Sequence, residues 1–83
     1  SGEKQRLALL RLLAIEPEIL LLDEPTANLD AESITKVEAL INNYRQQHTV
    51  SIIWVSHDVE QLKRMTSKYY RLDKEGLHEV DSQ

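Results

Sequence analysis

Ile19-Leu20-Leu21-Leu22-Asp23-Glu24-Pro25 constrains this chain more than any other stretch. Four aliphatic residues run directly into two adjacent carboxylates, and a proline then stops the regular backbone. A short all-apolar run bounded by turn signals reads as a strand buried on both faces. Such strands belong to sheets covered by helices, so an α/β layer is the expected setting. Two carboxylates at the end of a buried strand are costly to place unless something uses them.

The segments on either side agree with that setting. Gly2 to about Ile15 is rich in Leu, Ala, Arg, Lys and Gln, all good helix formers. Its leucines fall on nearly every face in the second half, so this helix is expected to be largely covered. Glu16-Pro17 ends it, because the residue before a proline avoids the helical region. After a loop at Pro25–Asp30, Asp30 is a candidate N-cap for a helix over roughly Ala31–Gln46. Ile34, Val37, Leu40, Ile41 and Tyr44 form one apolar stripe along it. Val50–Val55 reads as a second buried strand, closed by Ser56-His57-Asp58. Asp58 with Gln61 three residues later resembles a capping box, opening a helix to about Met65 on which Val59, Leu62 and Met65 share a face. Lys68–Leu72 and Leu77–Val80 are short strand candidates about the turn Asp73-Lys74-Glu75-Gly76.

Bulk properties narrow the function classes. With 83 residues the chain holds at most one small domain and is marginal alone. A net charge of −4 gives no basic footprint for DNA or RNA, so no nucleic-acid partner is expected. There is no cysteine, hence no disulfide framework or thiolate metal site, as befits a reducing compartment. The apolar stretches are far too short to cross a bilayer, so any membrane role must come through a partner.

Three features stand in order: Ser1-Gly2-Glu3-Lys4-Gln5-Arg6 opening a helix, Ile19–Glu24 followed by Pro25-Thr26-Ala27-Asn28-Leu29-Asp30, and a strand ending at Ser56-His57-Asp58. A strand-end aspartate beside a nucleotide triphosphate serves a magnesium ion in nucleotide hydrolases. The ordered set resembles the C-terminal part of an ATP-binding-cassette (ABC) ATPase, in which a signature loop, a Walker-B strand, a D-loop and a switch histidine follow one another. The resemblance covers Ser1 to about Leu72. It implies a partial P-loop NTPase fold of the α/β class: parallel strands flanked by helices, with a C-terminal hairpin and without the P-loop strand. Residues 1–83 would then be a C-terminal piece of one nucleotide-binding domain.

The resemblance also implies roles. Gly2 at a helix N-terminus leaves N–H groups open to an anion. Ser1 and Gly2 would face the terminal phosphate of an ATP held mainly by a second subunit. The family has two glycines after the serine, and Gly2 matches the second. Asp23 would bind Mg2+ through water, since magnesium keeps several waters and takes few carboxylates. Glu24 would be the general base for the attacking water, and His57 the switch histidine at the terminal phosphate. Asp30 would lie at the subunit interface, a role compatible with capping the next helix. Ser56-His57-Asp58 is not a hydrolase triad, because adjacent residues cannot turn three side chains toward one reacting atom.

No Gly-x-x-x-x-Gly-Lys-Ser/Thr occurs in the chain, so the loop that cradles phosphates is missing and the 83 residues alone are expected to be inactive. The implied whole is the ATP-hydrolysing subunit of a bacterial transporter. It would pair with a second ATP-binding subunit and sit in the cytoplasm, peripheral on the inner face of the membrane through a permease. The look of Ile52–Asp58 is somewhat similar to subunits assigned to iron or metal export. Related cassettes act in DNA repair, chromosome organisation and translation, often with coiled coils or basic segments that this chain lacks. A non-enzymatic interaction domain would explain the missing loop but not the ordered motifs. Finally, without the P-loop strand, Lys68–Leu72 is expected either to pair with Val50–Val55 or to leave open edges that recruit another copy.

Overall fold

The computed structural model describes residues 2–66 and 68–81. Its elements are α1 (Gly2–Ala14), β1 (Ile19–Asp23), α2 (Ala31–Gln47), β2 (Ser51–Val55), α3 (Val59–Met65), β3 (Lys68–Asp73) and β4 (Gly76–Asp81). The chain is a small α/β unit. β1 and β2 pair in parallel, Ile19 opposite Ser51 through Asp23 opposite Val55. β3 and β4 form a separate antiparallel hairpin, Asp73 opposite Gly76. Gly76 has φ 120°, a conformation L-residues rarely adopt, which explains the glycine at this tight turn.

Local chemistry accounts for the helix boundaries. Asp30 caps α2, its carboxylate accepting from the Ser33 N–H at 2.8 Å. Asp58 caps α3 by accepting from the Gln61 N–H at 3.2 Å. The apolar stripe of α2 faces inward: Val37 and Ile41 are fully buried, and Leu40 and Tyr44 pack beside them. They meet Leu9 and Leu13 of α1, Leu20 and Leu22 of β1, and Met65 of α3. Ile52 and Trp54 of β2 complete this core from the same sheet face. Arg45 fastens α2 to the end of α3 by donating from Nη1 to the Met65 carbonyl at 2.9 Å.

Three expectations require correction. β1 is covered on one face only: Leu20 and Leu22 are buried, whereas Ile19 and Leu21 are 67% and 61% exposed. On β2, Ile53 and Val55 open onto the same bare face. An all-apolar strand calls for two covering layers, and the described residues supply one. For the same reason α1 is not wrapped, since Leu7, Leu10 and Leu12 lie exposed, as does Ile15 just past its end. Lastly, β3 does not move across to β2. It takes β4, across a turn of two residues, as its partner. A hairpin closes far less chain than a crossover, so the local partner wins.

Candidate functional site

The exits of β1 and β2 lie side by side, because a parallel pair puts both C-terminal ends at one edge of the sheet. The ladder continues one step past β1, where the Glu24 N–H donates to the Val55 carbonyl at 2.7 Å. Glu24 itself has φ 51°, in the left-handed region. That turn redirects its side chain out of the strand's alternation. Its Oε1 lies 3.1 Å from Nε2 of His57, an ion-pair distance without the alignment of a hydrogen bond. The same oxygen is shielded from solvent and has no hydrogen-bond partner. The His57 ring is 95% exposed and projects from the edge. Two of the residues singled out from the sequence are thus brought together, one from each strand exit.

Asp23 ends β1 on the open face, next to this pair, and has no ion-pair partner among the described residues. A cleft of about 190 Å³ beside it is lined by Gln5, Leu12, Leu22 and Pro25 among others. Gln5 pins the mouth of that cleft by donating to the Pro25 carbonyl at 2.8 Å. No group of three or more metal-ligating side chains gathers among the described residues. One free carboxylate still fits magnesium, which takes one or two carboxylates, several waters and substrate phosphates rather than a protein cage.

Gly2 and Asp30 meet elsewhere, on the first turn of α2. A Cβ at Gly2 would collide with the Ser33 side chain, so α1 can start this close to α2 only as glycine. Asp30 bonds to the same Ser33. Hydrogen bonds from the Ser33 backbone and hydroxyl, outweighing a small desolvation, hold its carboxyl below the usual carboxylate range. Packing therefore accounts for Gly2 here without any anion. The role expected of Ser1 falls outside the described residues.

The family described as ABC transporter matches residues 1–27. The phosphate import ATP-binding protein PstB 2 of Trichormus variabilis is 46% identical over 66 residues, 80% of this chain and 22% of that protein. The tungstate uptake system ATP-binding protein TupC of Peptoclostridium acidaminophilum is 39% identical over 81 residues, 98% of this chain and 38% of that protein. The sulfate/thiosulfate import ATP-binding protein CysA of Rhodopseudomonas palustris is 40% identical over 82 residues, 99% of this chain and 24% of that protein. The chain belongs to the ABC transporter ATP-binding family. It spans between 22% and 38% of the length of these ABC relatives. All three are named for import or uptake, so the expectation of metal export finds no support. Among the described residues of this ABC chain, no helix is long and apolar enough to cross a membrane.

One residue of the ABC chain escaped the sequence reading. Gln61 was expected to close a capping box on Asp58, but its side chain turns inward and is 1% exposed. The Asp58 N–H is taken instead by Ser56 Oγ at 3.0 Å. Val59 is 47% exposed, and Gln61 occupies the inner face with Leu62 and Met65. The available signal was the polar Ser56, which satisfies the cap locally and releases the glutamine.

Proposed function

We propose that this chain carries the hydrolytic edge of the ATP-binding subunit of an ABC importer, as part of a single nucleotide-binding domain. The observation that supports this best is the Glu24–His57 pair at 3.1 Å, set at adjoining strand exits beside an unpaired Asp23. Glu24 acts as general base. Its Oε1 has no hydrogen-bond partner, which leaves it able to accept a proton from the attacking water. His57 donates a hydrogen bond to the terminal phosphate from its exposed ring and orients that phosphate relative to Glu24. Asp23 and coordinated water hold Mg2+, which when bound neutralises charge on the phosphate oxygens. Gly2 and Asp30 face the nucleotide and surface of a second ATP-binding subunit. The pair acts on a transmembrane permease, which keeps the subunit peripheral on the cytoplasmic face of the membrane and selects the solute. Import is the direction carried by the names of the relatives.

Phosphate contacts come mainly from a glycine-rich loop and its lysine. The 83 residues contain no such loop, so on their own they bind ATP weakly and do not turn it over. The test uses the whole subunit. Glu24→Gln should keep ATP binding and lower hydrolysis by roughly a hundred- to ten-thousand-fold. Turnover at the wild-type rate would refute the assignment.

A further inference from the structure

Beyond the Glu24–Val55 rung, the two loops that carry the reactive pair separate, and no backbone hydrogen bond joins them among the described residues. One side chain bridges the gap. Gln61 Nε2 donates to Thr26 Oγ1 at 2.8 Å and to Glu38 Oε2 at 2.8 Å. Its Oε1 accepts from Ser56 Oγ at 3.1 Å. Thr26 stands two residues after Glu24, and Ser56 stands immediately before His57. Ser56 Oγ also accepts from the Asp58 N–H, so the backbone on both sides of His57 is tied to the same amide.

The bridge is anchored at its far end. Glu38 Oε1 accepts from Arg64 Nε at 3.2 Å and Oε2 from Arg64 Nη2 at 2.7 Å, a two-point clamp between α2 and α3. Burial alone would raise the Glu38 pKa, but the bonds from Arg64 and Gln61 outweigh it and the carboxyl is held below its ordinary value. A charged acceptor fixes which end of the amide is nitrogen. The oxygen must then point to Ser56. Both donors and the acceptor of a fully buried side chain are therefore committed, which leaves it one orientation.

We infer that Gln61 is a positioning residue for ATP hydrolysis, holding the Glu24 loop and the His57 loop at a fixed separation through Thr26 and Ser56. It acts through those residues and does not touch the substrate. This inference rests on the roles proposed above for Glu24 and His57. Reactive groups displaced by about 1 Å lose on the order of a hundredfold in rate, so a strut of this kind controls turnover more than binding.

The test is steady-state kinetics on the intact subunit. Gln61→Met conserves volume and removes all three side-chain bonds. It should lower kcat by about ten- to a hundredfold, with KM for ATP nearly unchanged. Thr26→Val and Ser56→Ala should each produce part of that loss and add little on the Gln61→Met background, the signature of one shared network. A folded Gln61→Met subunit with wild-type kcat would overturn the inference while leaving the function intact. A wild-type subunit without ATPase activity would overturn the functional reading, and this inference with it. If Gln61→Met fails to fold, Ser56→Ala decides: wild-type kcat with an unchanged Tm overturns the strut, and a lowered kcat with unchanged Tm and KM supports it.

Discussion

The left-handed backbone at Glu24 predicts that the side chain is retained there against the preference of the main chain. At φ 51° an L-residue forfeits about 1–2 kcal/mol relative to the right-handed region. Glycine has no such penalty, although it loses about 0.5–1 kcal/mol more conformational freedom on folding. Comparing Glu24→Gly with Glu24→Ala isolates this term, because both remove the carboxylate and its approach to His57. The glycine variant should be the more stable by about 1 kcal/mol, which for a domain of this size raises Tm by about 4–8 °C. Asn43, exposed in the middle of α2, provides the opposite case. There Ala should exceed Gly by about 1 kcal/mol. Thermal unfolding of the four variants, followed by far-ultraviolet circular dichroism, measures both differences. A Glu24→Ala protein at least as stable as Glu24→Gly would refute the argument that the backbone here is strained.

Three further outcomes are expected. His57→Ala in the intact subunit should impair hydrolysis and change stability by no more than about 0.5 kcal/mol, since its ring is 95% exposed; a large Tm loss with normal specific activity would make His57 structural. Glu38 has a folded pKa below its ordinary 4.5, so its contribution is present above that pH and lost as pH falls through the folded value; Glu38→Gln should flatten the fall of Tm in that acid range, and an unchanged slope would contradict it. The bare face of Ile19, Leu21, Ile53 and Val55, with an open strand edge on either side, should make the 83-residue chain self-associate; sedimentation velocity over a concentration series should show this for the wild type and less of it for Ile53→Lys, whereas a strict monomer would exclude it.

Much of the fold is legible residue by residue. The stripe through Val37 and Ile41, the caps Asp30 and Asp58 and the glycine turn at Gly76 are local signals, and the elements they bound fall within a residue or two of expectation. Coverage is not local. Ile19 and Leu21 look as buried as Leu20 and Leu22 in sequence, and only the number of layers tells them apart. Glu24 and His57 are readable because each ends an apolar run. Gln61 is not, because a glutamine three residues after an N-cap has a local use that hides its contacts with Thr26 and Glu38. The Gly2 contact with Ser33 is equally invisible, since it depends on how two helix starts meet in space.

The pairing pattern has a consequence for synthesis. β3 finds β4 across a two-residue turn, a closure that takes about 1–10 μs. Ile19 finds Ser51 only after all of α2 has been made. At about 5–20 residues per second on the ribosome, the Ile19–Leu22 run waits on the order of seconds without its strand partner. During that interval Ile19–Leu22 lacks the Ser51–Val55 strand beside it, and an unpaired apolar edge is the kind of segment that holdase chaperones and neighbouring nascent chains capture. A charge introduced at Leu21, on the face open among the described residues, would shorten that exposure's reach in the 83-residue chain without touching the core built by Leu20 and Leu22.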